Sequence, residues 1–491
     1  MSPVPRPQLF FHTAALAPGA FRVIRLGGFE AIGQLYELEL GLELTEDTPL
    51  DVDAVDTVLA SPALVGFAEN GMVERPWHGI VRELELLEAD ETHAPVYRAV
   101  LVPTAWYLTQ TLRTRVFLQK STSDIVKEVL TEHGLAQGDH FELSLQATYP
   151  PREHVLQYQE SDLDFIARLL EHEGAFYFFD QREDGEVMVI TDNNSAFATA
   201  EGHEEVRFDP RDGITVPGGA VHRITRRYRL VPQHVVLRDY QPDQPRSPIQ
   251  TDHLVDSKGF GLVMLHGQNA PSEAEQRRLA KARAEERAVD KHVHHAIASV
   301  RGMHPGTKLT LVGHPFGELQ DAELVVVGAR HYAEPGSLSG GDGGEPYHAE
   351  LDLVPVSVPY RAPRLTPKPR IDGVVHAKVD GEVAGTPAPI DEQGRYRVLL
   401  PYDVATALGG RASCWIRMAQ PYAGPAYGMH FPLHIGADVL IAHVEGDPDR
   451  PVIVGALPTP DLLSPVIKDN ATQSMVRTKG NVEMVVEDDA K

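Results

Sequence analysis

Cysteine is almost absent from this chain. The single Cys414 excludes an intrachain disulfide and any multi-cysteine metal site, and it fits synthesis in a reducing compartment. It sits in Ala412-Ser-Cys-Trp-Ile-Arg-Met418, which reads as a strand, so a buried, inert thiol is expected rather than a nucleophile. Long apolar runs are missing too: no stretch of about 18 apolar residues occurs, so no membrane-spanning helix is expected. The opening Met1-Ser-Pro-Val-Pro-Arg-Pro-Gln-Leu-Phe10 lacks the basic region and apolar core of a signal peptide. Cytoplasmic synthesis is therefore the expectation, and any passage across a membrane must be driven by other means. Positive charge is in deficit, with 45 Lys and Arg against 70 Asp and Glu, a formal net charge of −25. Such a surface repels nucleic acid and anionic membranes, and in the plainer reading it simply keeps the protein in solution.

The usual catalytic strings are missing as well. There is no G-x-S-x-G elbow, no Walker loop and no H-E-x-x-H. Acidic pairs such as Glu160 and Asp162 suit glycoside hydrolysis in type, but 70 acidic residues produce such pairs by chance. Histidine is plentiful, with 23 residues, and the densest group is His292-Val-His-His295. Its spacing lacks helical i, i+4 geometry, and zinc needs three or four convergent ligands. Exposed histidines past a helix end, suited to the negative pole of its dipole, are the expected reading. No catalytic, cofactor-binding or metal-binding residue is assigned.

What is present is β-rich text with a few well-marked helices. The 491 residues exceed one ordinary core, so three or four domains are expected. Leu38, Leu40, Leu42 and Leu44 alternate with Glu37, Glu39, Gly41 and Glu43, a half-buried strand with one wet face. Trp77–Val81 and Tyr97–Val102 continue the β pattern. Ser123–Gly134 reads as a short capped helix with a glycine stop. Ser272, with Glu275 completing a capping box, opens a longer helix whose charges mostly mark a solvated face rather than a binding site. Strands are expected within His304–Pro315 and Leu324–His331, with a turn at Leu319–Ala322. Gly336–Gly344 reads as a flexible loop. Pro355, Pro359, Pro363, Pro367 and Pro369 then form a stiff, extended linker.

The most informative stretch is Tyr158-Gln-Glu-Ser-Asp-Leu-Asp-Phe-Ile-Ala-Arg-Leu-Leu-Glu-His-Glu-Gly174. Ser161 can cap a helix with Asp164 as the acidic half of a capping box. Leu163, Phe165, Ile166, Leu169 and Leu170 share one face, and Gly174 supplies a left-handed stop before the strand Phe176–Phe179. This string resembles the Y-x-E-S-D-x-x-F-I-x-R-L-x-E-x-E-G signature of the VgrG family, the trimeric spike proteins of type VI secretion systems, which themselves resemble fused phage tail hub and spike proteins. Tyr36–Leu40, His78–Val81 and Trp106 resemble that family's first barrel in order. Asp391-Glu-Gln-Gly-Arg-Tyr396, Trp415-Ile-Arg417 with Gln420-Pro-Tyr-Ala-Gly424, and Gly446-Asp-Pro-Asp-Arg-Pro-Val-Ile-Val-Gly455 resemble its OB-fold module. The resemblance spans roughly residues 10–460.

That resemblance implies a mainly β fold with some α (α+β): two hub β-barrel domains with inserted helical segments, then an OB-fold barrel and the start of a β-helical needle. The implied divisions are 1–105 for the first hub barrel and 106–204 for an α+β part carrying the Glu160-Ser161-Asp162 helix. A second barrel-like part with the long helix and linker follows at 205–370, then the OB fold at 371–458 and the needle start or short tail at 459–491. It further implies a homotrimer that caps an Hcp-like tube, contacts baseplate components, and carries a PAAR-type tip protein and secreted effectors. Such a particle pierces a membrane transiently and performs no catalysis, needs no cofactor, and is injected by the contractile machine. Two alternatives stand beside it: the spike of an extracellular phage-tail-like particle, and, in another class, a cell-wall hydrolase. Within the OB part, Trp415–Arg417 and the turn at Asp447, Pro448 and Arg450 are expected to act as structural determinants.

An OB fold that binds single-stranded nucleic acid needs a basic groove. Residues 371–457 hold six Lys and Arg against ten Asp and Glu, the wrong sign for phosphate. No shift of labelled single-stranded DNA is therefore expected in a retardation assay at low salt; a shift that fades with added salt would show that a local basic patch overrides the net charge.

Overall fold

A computed structural model describes residues 8–46, 48–69, 72–88, 94–200, 202–210, 218–242, 245–246, 249–334, 347–403 and 409–488. The expected glycine loop at 336–344 lies outside the described residues. The chain divides into two compact units, neither contiguous. The first comprises Met1–Thr111, Val126–Tyr149 and Asp162–Pro367, and the second Leu112–Ile125, Pro150–Ser161 and Lys368–Lys491. Among the described residues no helix is long and apolar enough to cross a membrane.

Among the described residues the first unit is built on one 13-stranded sheet. Its N-terminal half runs Gln8–Thr13, Pro62–Glu69, Met72–Glu88, Val96–Val102, Glu37–Leu44 and Phe21–Ala31 in spatial order. Its C-terminal half continues with Ala322–Ala333, Tyr347–Pro355, His292–Ala298 and Val221–Tyr228. The strand Thr307–Val312 pairs with Ala322–Ala333 off the main path. Alternation sets the faces: Leu38, Leu40 and Leu42 are fully buried while Glu37 and Glu39 face water. Each such leucine contributes roughly 1.5–3 kcal/mol of burial. A one-residue slip would turn the whole row to solvent, which fixes the register.

The two halves join where Phe21–Ala31 pairs antiparallel with Ala322–Ala333, Leu26 opposite Ala333 through Ala31 opposite Gly328. A buried polar network lies at this seam. Glu30 Oε1 accepts from Arg75 Nη2, Trp77 Nε1 and His331 Nε2, each at 2.9 Å. His331 Nδ1 in turn lies 2.8 Å from the Tyr347 hydroxyl. With the carboxylate ionised, the His331 Nε2 facing it is a donor. Burial alone would raise the Glu30 pKa, but Arg75 and His331 outweigh it and hold the carboxyl well below the usual range.

Among the described residues four α-helices accompany the sheets. α1 (Val52–Val58) is capped by Asp51, whose side chain accepts from Ala54 N. α2 (Thr122–Glu132) begins before the expected Ser123: Ser121 is its cap, accepting from Asp124 N at 3.1 Å while its own N–H donates to the Asp124 carboxylate. The capping box therefore sits two residues upstream, and Gly134 stops the helix at positive φ. α3 (Asp162–Glu173) carries the signature, and α4 (Glu273–Val289) is capped by Ser272 through Glu275 N, as the sequence indicates. Among the described residues the first unit also holds two smaller sheets. Phe176–Gln181, Glu186–Thr191 and Phe141–Ser144 form one, and Ile249–Leu254, His234–Asp239 and Leu262–His266 the other.

His292–His295 departs from expectation. The residues are not exposed past a helix end but open the strand His292–Ala298, with His294 only 2% accessible. Strand alternation sends His292 and His294 to one face, their rings 4.5 Å apart.

In the second unit Leu112–Lys120 pairs antiparallel with Arg152–Ser161. Val398–Leu399, Val374–Val379, Asp438–His443 and Pro451–Ala456 form a four-stranded sheet in that order. Its core holds Val379, Tyr396, Val398, Ile416, Val439, Ile441 and Ile453, with Val116 packed against it. Ala412–Met418 is not a continuous strand. Only Ile416 and Met418 make bridges, to Tyr396 and Ile453, because the segment switches partners halfway along. At the end of the described chain, Gln473–Arg477 and Glu483–Glu487 form a two-stranded hairpin.

Replacing Glu30 with alanine leaves Arg75 buried without its counter-ion and should cost about 3–5 kcal/mol in urea unfolding. Glu43→Ala, which loses only the exposed Arg22 pair, should cost less than about 1 kcal/mol. Because the folded pKa of Glu30 is depressed, its contribution is present above the free value of 4.5 and is lost as pH falls below it. The difference between wild type and Glu30→Ala should therefore shrink between pH 7 and pH 3.

Candidate functional site

The end of the signature helix gives its last letters, Glu171, Glu173 and Gly174, definite physical roles. An α-helix leaves its last four carbonyls without intrahelical donors. In α3 three of these, the carbonyls of Glu171, His172 and Glu173, are met by arginines brought from elsewhere. Arg283 Nη2 donates to the carbonyls of Glu171 and His172 at 2.6 and 2.8 Å. Arg278 Nη1 donates to the Glu173 carbonyl at 3.0 Å, and its other nitrogen pairs with the Glu173 carboxylate. Arg361 Nη1 donates to the Gly174 carbonyl at 2.8 Å while its Nε binds Glu285 at 2.9 Å. Three cations thus sit at the negative pole of the helix dipole. Burial brings Arg283 down to about 10, which leaves it charged at neutral pH.

Gly174 completes the stop. It adopts φ +78°, with Ala175 N donating to Leu170 O at 2.9 Å and Gly174 N to Glu171 O at 3.2 Å, a Schellman pairing. A Cβ here would come within 2.8 Å of Ala282 Cβ on α4, so the position needs glycine for space as well as conformation. The Glu171 carboxylate accepts from Thr366 N at 3.0 Å and Thr366 Oγ1 at 2.9 Å. Burial raises its pKa, against the pull of those bonds. At the other end of the helix Asp162, fully buried, lies 2.8 Å from His133 Nε2. The charges of α4 therefore do not all mark a solvated face. Arg278 and Arg283 point inward, and Arg283 is 2% accessible.

A cleft of about 630 Å³ lies beside this helix end, lined by Tyr149, Asp192, Glu173, Arg278, Lys281 and Arg361, among others. Its charges are already matched. Asp192 accepts from Gln146 N, Ala147 N and the Tyr149 hydroxyl at 2.8–2.9 Å, and Arg278 and Arg361 are engaged as described. No nucleophile with an adjacent free base is assembled there.

In the second unit the turn Gly446–Arg450 gathers three segments. Asp447 Oδ1 accepts from Asp449 N at 2.9 Å, closing the turn locally. Lys368 Nζ bridges both carboxylates, 2.5 Å from Asp447 and 2.7 Å from Asp449. Asp449 Oδ1 also accepts from Leu156 N at 2.8 Å, and Gly446 O accepts from Ile371 N at 2.9 Å. Arg450 N donates to Asp447 O at 3.0 Å, and the Arg450 side chain lies 4.0 Å from Glu445. Nearby, the Arg397 guanidinium stacks on the Trp415 ring at 4.3 Å. Ile416 exchanges backbone bonds with Tyr396, and the Arg417 carbonyl accepts from Ile453 N at 2.9 Å. The Cys414 thiol is pushed up to about 12 by burial, so it stays protonated at neutral pH. Among the described residues no three His, Cys, Asp or Glu side chains are grouped to hold a metal ion.

Comparison with known proteins gives a consistent picture. The profile of the phage tail baseplate hub (GPD) family matches residues 29–337, and that of the type VI secretion system/phage-baseplate injector OB domain matches residues 381–457. The type VI secretion system spike protein VgrG1a of Pseudomonas aeruginosa is 29% identical over 95% of this chain and 72% of its own length. Four further spike proteins of that organism are 28–30% identical, and the chain spans only 54–64% of each. The actin cross-linking toxin VgrG1 of Vibrio cholerae is 26% identical over 92% of this chain but only 41% of its own length. Among solved structures, the E. coli c3393 protein is described as a type VI secretion component similar in structure to T4 bacteriophage tail proteins gp27 and gp5. It superposes with a TM-score of 0.67 at 20% identity, covering 91% of this chain and 99% of its own. The fold is thus mainly β with some α, a phage-hub arrangement followed by an OB domain.

Gly174→Ala should cost about 2–4 kcal/mol, combining a left-handed φ with overpacking against Ala282. Arg283→Met removes the donor that reaches the His172 carbonyl and one of the two that reach the Glu171 carbonyl, and should cost about 1–3 kcal/mol. Arg277→Met, on the wet face of α4 with an exposed Glu273 partner, should cost less than about 0.5 kcal/mol. Chemical denaturation of the three variants checks this ranking.

Proposed function

This chain belongs to the phage tail baseplate hub family, and from that premise we propose that it is the homotrimeric spike hub of a type VI secretion machine. The observation that carries the reading is the order of parts along one chain: a hub region over residues 29–337, then an injector OB domain over 381–457. The function is mechanical. Three copies cap an Hcp-like tube on a baseplate, and contraction of a sheath drives them through a target membrane with secreted effectors in tow. The hub barrels occupy 1–105 and 205–370, the intervening 106–204 carries the signature helix, and 371–458 forms the OB spike. The hairpin Gln473–Glu487 begins a β-helical needle ending in a PAAR-type tip.

Force transmission requires that many interactions break together. A continuous antiparallel sheet meets this need, because its ladder bonds and side-chain rows are loaded in parallel. The reading assigns no catalytic role. The thiol is held protonated, the acidic Asp162 is engaged by His133, and the cleft beside α3 has its charges paired. The protein is made in the cytoplasm in this reading and leaves the cell by injection.

Multi-angle light scattering of the purified full chain tests the assembly. The expected mass is about 162 kDa, three times the 54.0 kDa of one chain. A mass near 54 kDa across the micromolar range would contradict a stable trimeric hub.

A further inference from the structure

In the second unit, two histidines are buried around the Asp447–Asp449 turn. His154, on the strand Arg152–Ser161, and His443, at the end of the strand Asp438–His443, are each 8% accessible. None of their four ring nitrogens makes a hydrogen bond of good geometry, although the Pro448 carbonyl faces the His154 ring. Buried polar atoms without partners are rare and costly, and neutral imidazoles bear that burial better than charged ones. The groups around them come from four elements. The turn supplies Asp447 and Asp449, the preceding linker supplies Lys368, and the two strands supply the histidines themselves. Arg450 is directed to Glu445 instead.

We infer that His154 and His443 form an acid-sensitive clasp, closed while both rings are neutral and released when both are protonated, which frees the strand Arg152–Ser161 from the Asp447–Asp449 turn. The charge arithmetic favours a threshold. Two carboxylates against Lys368 leave one negative charge, so a first proton is tolerated. A second adds a cation beside a protonated ring and Lys368, and the two carboxylates, already bonded to Lys368 and to backbone amides, no longer outnumber the positive charges. Burial is the largest cause lowering both pKa values, and for His443 it brings the value to about 4 from 6.5, with His154 as the next contributor. A folded pKa below the free value means the histidines favour the closed clasp fully above pH 6.5. That advantage is lost as pH falls from 6.5 toward the folded value.

The reporter is the Leu156 amide, which donates to Asp449 across the clasp. Hydrogen exchange on the full chain, corrected for the intrinsic rate, should show its protection falling at least tenfold between pH 7.5 and pH 5.0. The Val379 amide, bonded to Ala437 O in the same unit, should change less than threefold. In His154→Leu/His443→Leu the Leu156 protection should hold within threefold over the same interval. Loss of less than threefold at Leu156 in the wild type would overturn the clasp. So would a parallel loss at Val379, which would indicate unfolding of the whole unit, or an undiminished loss in the double variant. The wild-type comparison of the two amides decides the matter even if the double variant does not fold.

Discussion

The closing of one helix end by three arginines holds the first unit's parts in register. α3 leaves its final carbonyls buried or half-buried, and Arg278, Arg283 and Arg361 donate to them. These arginines come from α4 and from the segment after the last long strand, so a single helix terminus ties together regions far apart in sequence. Each bond is charge-assisted and partly desolvated, the regime in which hydrogen bonds count most and are most costly to break singly. Gly174 makes the arrangement possible by letting α4 approach to a distance that no side chain would allow.

A second constraint of the same kind lies at the seam of the large sheet. Glu30 gathers donors from both halves, Arg75 and Trp77 from one and His331 from the other. Such a buried cluster specifies pairing more than it adds net stability, because any shifted register would strand a charge. The two halves therefore behave as one plate. In the second unit the Asp447–Asp449 turn does similar work at smaller scale, fastening Lys368, Ile371 and Leu156 to one loop.

Much of this was legible in the letters wherever the signal was local. The Leu38–Leu44 alternation, the Ser272 cap, the α3 apolar face and the Gly174 stop all follow from periodicity and backbone preference. What the letters hid was long-range. Arg278 and Arg283 look like the wet face of a charged helix because nothing in their own neighbourhood shows that a second helix offers them bare carbonyls. Glu30 and His331 lie about 300 residues apart, and neither has a local pattern to mark it. His292–His295 follow directly after a helix, so their place in a strand is set by partners at 221–228 and 347–355. Leu112–Lys120 and Arg152–Ser161 belong with the C-terminal unit through pairing and packing that leave no trace in spacing. The resemblance to spike proteins points to the family, and the arginines and the close approach of α4 give a physical role to the last letters of its signature, Glu173 and Gly174.

If the protein works by resisting force, its joints should set the force it bears. Single-molecule pulling on the full chain measures this most directly. Arg278→Met combined with Arg283→Met should lower the rupture force of the first unit and leave that of the second unchanged. Equal rupture forces for the first unit in wild type and variant would contradict the account.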